Sequence, residues 1–403
     1  MADLIPPVTG PHRPESGAPP DIVYVVGARP NFVKMTPVVR EMRARAPHLS
    51  HVVVHTGQHY DKEMSDIFFT ELGLPEPDHF LGVGSGSHGR QTASALERLE
   101  QVLMSLRPSL VVVPGDVNSS LAAALAAAKL NIPVAHLEAG LRSFDRTMPE
   151  EINRVLIDQI SQWCFIHSPE ADTNLANEGI AAHRRVFAGN TMIDTLVRLR
   201  PRIAASTIHA ELGLDPRHYL LVTLHRPALV DGPDFPDAMR ALAELAQSLP
   251  VVFPVHPRTR ARMPEDLVKA PGLRLVDPIG YVDFLALESA AAGVLTDSGG
   301  IQEETTFLRI PCFTLRENTE RPVTLTHGTN RLLGLRPDAI QGIAEFLGRP
   351  ALARRPPAGW DGHAAQRVAD ALLPWLAAEL GAEGQALSLG TPVGTDSAWS
   401  HRA

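Results

Sequence analysis

Short apolar runs alternate with longer helical segments along most of this chain. We predict strands at residues 22–26, 51–55, 110–113, 132–136, 163–166 and 185–188, and a second series at residues 219–224, 251–255, 273–276, 291–295 and 310–315. These runs are uniformly apolar and do not alternate between apolar and polar residues, which is typical of strands covered on both faces. The pattern therefore predicts an α/β fold in which helices cover both faces of parallel sheets.

The alternation is interrupted between residues 189 and 201, where no clean strand occurs. A chain of 403 residues is also long for a single core. We therefore predict two similar α/β domains that face each other. The predicted parts are a disordered Pro/Gly-rich tail at residues 1–20, an N-terminal domain at 21–194, a C-terminal domain at 195–360, a helix at 361–380 and a second disordered tail at 381–403.

Polar side chains collect where the predicted strands end. Arg29, Asp116 and Glu138 follow strands of the first half, and His225 follows a strand of the second half. The carboxyl ends of parallel strands meet at one edge of a sheet, where α/β proteins bind their ligands. These side chains are therefore candidates for a ligand site.

The turn Asp297-Ser298-Gly299-Gly300 lies between an apolar run and a segment with helical character. Its glycines allow close approach of the backbone, and a helix start presents unpaired N–H groups at the positive end of the helix dipole. Such a corner suits a phosphate, and Glu303 or Glu304 would then lie within reach of a sugar hydroxyl. The same residues equally fit an ordinary strand-to-helix turn, so both interpretations stay open at this point.

Composition narrows the possible partners. The formal net charge of −8 argues against a nucleic-acid or anionic-membrane partner, since both require a basic surface. Cys164 and Cys312 both lie in apolar runs and are predicted to be buried, reduced thiols. No stretch of 18 apolar residues and no signal-peptide pattern occurs, so we expect a soluble cytoplasmic protein. Because no four residues have zinc-ligand spacing, we expect no structural metal site.

Several motifs, taken together and in this order, resemble those of the non-hydrolysing UDP-N-acetylglucosamine 2-epimerase family. They are GARPNFVKMTP from Gly27, TGQHYDKEMS from Thr56, PGDVNSSLAAALAAA from Pro114, HLEAGLRSFDRTMPEEINR from His136, TLHRP from Thr223, FPVHPRTR from Phe253, and DSGGIQEE through ENTERP from Asp297 to Pro322. The resemblance extends from Ile22 to Leu380. It implies two Rossmann-like domains in the glycosyltransferase-B arrangement, an active site in the cleft between their parallel sheets, a UDP-sugar substrate, a homodimer, and no cofactor or metal.

The resemblance also implies roles for the matching residues. The carboxylates of Asp116, Glu138 and Glu150 correspond to those implicated in proton transfer at the sugar C2, and His225 lies near the diphosphate and is counted with the catalytic group. The residues implied to bind UDP or to line the cleft are Arg29, Lys34, Arg154, Ser298, Gly299, Gly300, Glu304 and Arg321. Glu304 corresponds to the glutamate on the uridine ribose.

Two departures from the family pattern stand out. Pro227-Ala228-Leu229 replaces a polar Arg-Glu-Asn or Ser-Asn of many members, which removes a polar group near the nucleotide and bears on substrate choice. Ser65-Asp66-Ile67 stands where allosterically regulated bacterial members often carry Leu-Asp-Gln, which puts that regulation in doubt.

Simpler structural roles remain open for some of these residues. Asp116 could cap the following helix, and Glu150 and Arg154 have the i,i+4 spacing of an ordinary helical ion pair. His225 could satisfy a buried carbonyl group. Glu138 has no such explanation, since an unpaired buried carboxylate is costly.

The C2 proton of an N-acetylhexosamine is not acidic, because no carbonyl group adjoins that carbon. Breaking the anomeric C–O bond to UDP first builds positive charge on the ring, which acidifies C2–H. The implied reaction eliminates UDP to give a 2-acetamidoglucal and then adds UDP back, converting UDP-GlcNAc into UDP-ManNAc. Removal and return of the proton on opposite faces require two groups or a relay, and neighbouring carboxylates suit this task.

Three other functions remain to be distinguished. A hydrolysing 2-epimerase would release free ManNAc and UDP, and a glycosyltransferase of the same architecture would need an acceptor. A non-catalytic nucleotide-sugar binding protein would retain the UDP site, but it would not need all three carboxylates. The sequence also leaves open whether the substrate is UDP-GlcNAc or a modified relative.

Overall fold

The computed structural model describes residues 21–58, 71–74, 76–348 and 355–388. It contains two parallel sheets, which confirms the predicted α/β class with two Rossmann-like units. The strands of the first sheet are β1 (Ile22–Val26), β2 (His51–His55), β3 (His79–Phe80), β4 (Leu110–Pro114), β5 (Val134–Leu137), β6 (Trp163–Ile166) and β7 (Arg185–Phe187). Those of the second are β8 (Leu220–Thr223), β9 (Val251–Pro254), β10 (Leu273–Val276), β11 (Gly293–Thr296), β12 (Cys312–Thr314) and β13 (Asn330–Leu332).

The helices connect successive strands and cover the sheets. The first half of the chain contains α1 (Arg29–Arg45), α2 (His88–Leu106), α3 (Asn118–Lys129), α4 (Pro149–Ile160), α5 (Pro169–Asn177) and α6 (Thr191–Ala204). The second half contains α7 (Ile208–Glu211), α8 (Pro227–Val230), α9 (Phe235–Leu245), α10 (Pro257–Arg260), α11 (Tyr281–Ala290), α12 (Gly299–Leu308), α13 (Val323–Thr326), α14 (Asp338–Gln341), α15 (Ile343–Leu347) and α16 (Ala364–Ser388). None of the helices described is both long and apolar enough to span a membrane.

The two sheets have the same strand order. The first runs β3-β2-β1-β4-β5-β6-β7 and the second runs β10-β9-β8-β11-β12-β13, so each begins with the doubly wound order 3-2-1-4-5-6. The order reverses between β1 and β4 in one sheet and between β8 and β11 in the other. In this architecture the crevice at the reversal point, at the carboxyl ends of the strands, is where ligands bind.

At each reversal point, the register of the two neighbouring strands places the turns that follow them side by side. Ile22 of β1 is opposite Leu110 of β4, and Thr223 of β8 is opposite Thr296 of β11. The apolar strand residues are buried, as the uninterrupted apolar runs predict. The turns and helix starts after these strands therefore form one polar edge on each sheet.

The C-terminal helix α16 packs against the first half of the chain, although it follows the second sheet. Val368 and Leu372 of α16 share a buried apolar cluster with Val38 and Met42 of α1. The predicted helix at residues 361–380 is thus present, beginning at Ala364 and continuing into the predicted tail as far as Ser388. Its apolar face is stabilised by the first domain, which sequence periodicity within the helix does not reveal.

The proposed domain boundary at residues 194/195 falls inside α6 and stays a prediction. Several predicted features lie outside the described residues. They are the tail at 1–20, the part of the second tail at 389–403, most of the TGQHYDKEMS motif, and the segment from Ser65 to Ile67.

Candidate active site

A cavity of about 380 Å³ lies between the two halves of the chain, at the carboxyl ends of β1, β4, β8 and β11. Ten of the predicted site residues line it: Arg29, Lys34, Asp116, Glu150, His225, Ser298, Gly299, Gly300, Glu304 and Arg321. Glu138 and Arg154 do not line this cavity and lie behind its wall. The reversal points of both sheets thus contribute to one site, as the topology requires.

Asp116 lies on the wall formed by the first half, directly after β4. The guanidinium of Arg154 donates a hydrogen bond to the Asp116 carboxylate, and its other terminal nitrogen donates to Oε2 of Glu151 at 2.6 Å. Burial alone raises the pKa of Asp116, but the charges of Arg154 and Lys34 outweigh it and hold this pKa below its ordinary value. Asp116 is therefore ionised at neutral pH.

These contacts decide between the alternatives left open for this wall. Helix α3 has Val117 at its N-cap and no side-chain cap, so Asp116 does not cap it. Arg154 pairs with Glu151 at i,i+3 and with Asp116, while Glu150 lines the cavity. The i,i+4 ion pair between Glu150 and Arg154 is thus not what the structure contains, and Arg154 acts as a buried support for Asp116.

Glu138 follows β5 with a backbone φ of 68°, a left-handed conformation that few residues other than glycine adopt. Its Oε2 lies 2.7 Å from Nζ of Lys34, and its Oε1 accepts a hydrogen bond of 2.9 Å from Nη2 of Arg321. Both cations line the cavity. The buried Glu138 carboxylate is therefore fully engaged in holding these two cations at the cavity wall, one from each half of the chain.

On the opposite wall, the turn after β11 starts helix α12, with Ser298 at the N-cap. A Cβ atom added to Gly299 would lie 2.3 Å from Nη1 of Arg321, so only glycine fits beside this guanidinium. The first turn of α12 thus presents backbone N–H groups and the positive end of the helix dipole to the cavity, next to an arginine. This arrangement is suited to an anion such as a diphosphate.

Glu304 is buried in α12 and accepts a hydrogen bond of 2.5 Å from Oη of Tyr281, at the start of α11. Burial raises the pKa of Glu304 to about 7, partly offset by the Tyr281 hydrogen bond and reinforced by the charge of Glu303. Glu304 therefore titrates near neutral pH, in contrast to Asp116 on the other wall.

His225 lies after β8 with its side chain 54% exposed, so it does not satisfy a buried carbonyl group. Its Nδ1 is 3.1 Å from Oδ1 of Asp297. The other oxygen of Asp297 accepts hydrogen bonds from the backbone N–H groups of His225 and Arg226, at 2.8 and 2.7 Å. The buried Asp297 thus fixes the turn through its backbone hydrogen bonds and lies close to the imidazole, and His225 lines the cavity.

Comparison with known proteins identifies the family. A family model described as UDP-N-acetylglucosamine 2-epimerase matches residues 40–373. The chain belongs to this epimerase family. It is 42% identical to the UDP-N-acetylglucosamine 2-epimerase of Methanocaldococcus jannaschii, over 80% of this chain and 91% of that protein. It is also 42% identical to the UDP-2,3-diacetamido-2,3-dideoxy-D-glucuronate 2-epimerase of Pseudomonas aeruginosa, over 79% of this chain and 90% of that protein.

A solved structure agrees with this family assignment. The crystal structure of the M. jannaschii UDP-GlcNAc 2-epimerase in complex with UDP-GlcNAc and UDP superposes on this chain with a TM-score of 0.81 and 38% sequence identity. The superposition covers 87% of this chain and 99% of that one. The epimerase family therefore shares both the sequence motifs and the two-sheet architecture of this protein.

One group of side chains in this epimerase-family site has metal-ligand spacing. Among the described residues, ligand atoms of Glu138, His167 and Glu303 all lie within 4.8 Å of one another. Lys34 and Arg321, however, already contact the carboxylate oxygens at 2.7 to 2.9 Å and neutralise their charge. A metal ion would have to displace these cations, so we assign no metal here.

Burial raises the pKa of both Cys164 and Cys312 to about 12, and both are free buried thiols, as predicted.

Sequence reasoning did not assign roles to four residues of this site: His167, Tyr281, Asp297 and Glu320. Tyr281 and Asp297 carried a usable signal, since each lies a few residues after a predicted strand. Glu320 and His167 become recognisable only through their contacts with Arg321 and Glu303.

Proposed function

We propose that this epimerase-family protein catalyses reversible epimerisation at C2 of a UDP-N-acetylhexosamine, converting UDP-GlcNAc into UDP-ManNAc without net hydrolysis. One observation carries the proposal. A single cavity has a helix N-terminus suited to a diphosphate on one wall and an ionised carboxylate, Asp116, on the other. Elimination and re-addition of UDP need both functions within one enclosed space.

The nucleotide binds on the second-half wall in this proposal. The diphosphate accepts hydrogen bonds from the first turn of α12, around Ser298 and Gly299, and from Arg321. Arg29 adds positive charge from the opposite wall. Glu304 accepts hydrogen bonds from the uridine ribose hydroxyl groups, and Tyr281 holds it in position.

The reaction breaks the anomeric C–O bond, and UDP leaves with the bonding electron pair. The C2 proton passes to a carboxylate as the C1–C2 double bond of a 2-acetamidoglucal forms. In the return step a proton adds to the other face of C2, and a UDP oxygen attacks C1. Atoms and charges balance without a redox step, since UDP is both the leaving group and the nucleophile.

The three carboxylates have different roles in the proposed reaction. Asp116, kept ionised by Arg154 and Lys34, accepts the proton, and Glu150 faces the same cavity and serves as the second group. Glu138 has a positioning role: it holds Lys34 and Arg321 at the cavity wall, where their positive charges stabilise the negative charge that develops on UDP. His225, oriented by Asp297, faces the diphosphate.

A second candidate substrate is UDP-2,3-diacetamido-2,3-dideoxy-D-glucuronate, since the relative named for this sugar matches the chain as well as the M. jannaschii protein does. We further propose a homodimer, which light scattering of the purified protein would test.

The test of this proposal is incubation of the full chain with UDP-GlcNAc in heavy water. We expect deuterium at C2 of both UDP-GlcNAc and UDP-ManNAc and a stable mixture of the two, followed by NMR. Accumulation of free ManNAc and UDP would indicate the hydrolysing reaction instead. Absence of deuterium at C2 would contradict epimerisation by proton transfer and would favour a glycosyltransferase or a binding protein. The diacetamido uronate is assayed in parallel.

A further inference from the structure

His167 is a buried histidine that the proposed reaction does not use. It follows β6 in the first half, and its Nε2 lies 3.0 Å from Oε1 of Glu303 on α12 of the second half. The indole N–H of Trp360 donates a hydrogen bond of 2.9 Å to the His167 carbonyl, and the two rings pack edge to face at 5.8 Å. Both the backbone and the ring of His167 are therefore fixed in place.

Glu303 is ionised where it contacts His167. Burial alone raises the pKa of this carboxyl, but the charge of Arg321 and the nearby His167 outweigh it and lower the pKa to about 2. The 3.0 Å separation is a short polar contact, in which neither Nε2 of His167 nor Oε1 of Glu303 makes a hydrogen bond of ordinary geometry. The contact joins the two halves of the chain.

Arg321 connects this pair to the cavity. Its Nε is 2.9 Å from the same Glu303 oxygen, its Nη1 donates to Glu320 at 2.5 Å, and its Nη2 donates to Glu138 at 2.9 Å. Each nitrogen of the guanidinium therefore faces a different carboxylate. Among the ion pairs of the described residues, Glu303 contacts the first half directly through His167 and indirectly through Arg321, which pairs with Glu138.

We propose that His167 is a positioning residue for the reaction. Through its 3.0 Å contact with Glu303 across the boundary between the halves, it restrains the Glu303 carboxylate, which in turn lies 2.9 Å from Nε of Arg321 and so orients the guanidinium. Arg321 then meets the departing UDP oxygen and Glu138 in the required orientation. This inference rests on the proposed function, because it assigns His167 to the step in which UDP leaves.

The alternative role for His167 is a purely structural one, in which its loss destabilises the fold without a specific effect on turnover. The two roles differ in what they change. A positioning residue that lies behind Arg321 affects the transition state more than it affects ground-state binding, so kcat falls and KM changes little. A structural residue lowers the melting temperature and the active fraction, and a conservative replacement has no special ability to restore the rate.

The experiment compares His167→Ala and His167→Gln in the full chain, with His209→Gln as the matched control. Gln places a polar N–H group near the position of Nε2, whereas Ala removes the contact with Glu303. The ring of His209 makes a polar contact of the same length, with Nε2 3.0 Å from Oη of Tyr219, and His209 does not line the cavity. We measure kcat and KM for UDP-GlcNAc epimerisation, the Kd of UDP, and the melting temperature of each variant.

We expect His167→Ala to lower kcat about 10- to 100-fold, the range typical of a misplaced catalytic group. KM and the Kd of UDP should stay within about threefold of the wild type, since His167 does not line the UDP cavity. His167→Gln should recover to within about fivefold of the wild-type kcat, and His209→Gln should match the wild type.

Equal losses of kcat in the Ala and Gln variants, a parallel rise in KM and Kd, or a wild-type rate in His167→Ala would each overturn the inference. If the wild type itself placed no deuterium at C2, the proposed function would fail. If the wild type exchanges and His167→Ala is unimpaired, only the role of His167 fails.

Discussion

The two walls of the cavity are built on sheets with the same strand order, yet Asp116 on one wall and Glu304 on the other are held in opposite electrostatic states. On the first-half wall Asp116 contacts Arg154, and its pKa lies below the ordinary value. On the second-half wall Glu304 contacts Tyr281 and lies near the like charge of Glu303, and its pKa is raised to about 7. The neighbours of a buried carboxylate, and not its residue type, decide whether it is ionised.

This difference fits a division of labour between the walls. An ionised carboxylate on the sugar side can accept a proton throughout the neutral pH range. In the proposed binding mode, a carboxyl group that titrates near pH 7 beside the ribose couples nucleotide binding to release of a proton. The Arg321 guanidinium lies where the walls meet and contacts carboxylates from both.

The largest effect is expected from removing the charge on the sugar-side wall. Asp116→Asn should lower kcat for C2 epimerisation about 10²- to 10⁴-fold, because the amide cannot accept the proton. The Kd of UDP should change less than about threefold, since the proposed nucleotide site is on the opposite wall. Both are measured by NMR assay and calorimetry.

Asp172→Asn is the matched control for this change. Asp172 pairs with Arg185 at 3.0 Å at the edge of the same domain and is not part of the cavity wall. It should keep the wild-type kcat. Normal C2 exchange in Asp116→Asn would show that the two walls do not divide the chemistry in this way.

A smaller effect is expected where the walls meet. Gly299→Ala would place a Cβ 2.3 Å from Nη1 of Arg321 and so displace the guanidinium. We expect about a 10- to 100-fold loss of kcat/KM for UDP-GlcNAc, since a shift of about 1 Å in a catalytic group has this consequence. Gly89→Ala is the control, because nothing lies within 4 Å of the added Cβ there. It should retain full activity and an equal or higher melting temperature; wild-type kcat/KM in Gly299→Ala would contradict the assigned position of Arg321.

The smallest effect concerns pH and the nucleotide-side wall. Burial raises the pKa of Glu304 to about 7 in the free protein, and the ionised carboxylate is a stronger acceptor for ribose hydroxyl groups than the protonated form. Binding therefore lowers this pKa and releases a proton, and affinity falls as the pH drops below about 7. Between pH 8 and pH 6 the Kd should rise by up to about tenfold for a group with this pKa.

Calorimetry of UDP-GlcNAc binding to the Asp116→Asn variant measures this effect without turnover. Both phosphates of this ligand are esterified, so the ligand does not titrate between pH 6 and pH 8. Adding Glu304→Gln to the same variant should abolish the pH dependence. A Kd that still changed tenfold in the double variant would assign the titration to another group.

Many residues of this site can be predicted from their position along the chain, directly after apolar strands. Their place after apolar strands predicts a ligand site at Asp116, His225 and the turn from Ser298 to Gly300. The structure brings these residues to one cavity. Glu138 was predicted on the same grounds but lies behind Lys34 and Arg321. The direction of a side chain after a strand depends on the turn conformation, here a positive φ, which residue pattern does not report.

The sequence by itself determined the alternation of strands and helices, the two-domain α/β class, and the family to which the chain belongs. These features depend on local periodicity and on contiguous motifs. Only the tertiary structure decided the partners of Arg321, which include Glu138 at 183 positions away, and the contact of His167 with Glu303 across the two halves. Such contacts depend on how the domains dock, and the charge of each buried group depends in turn on those contacts.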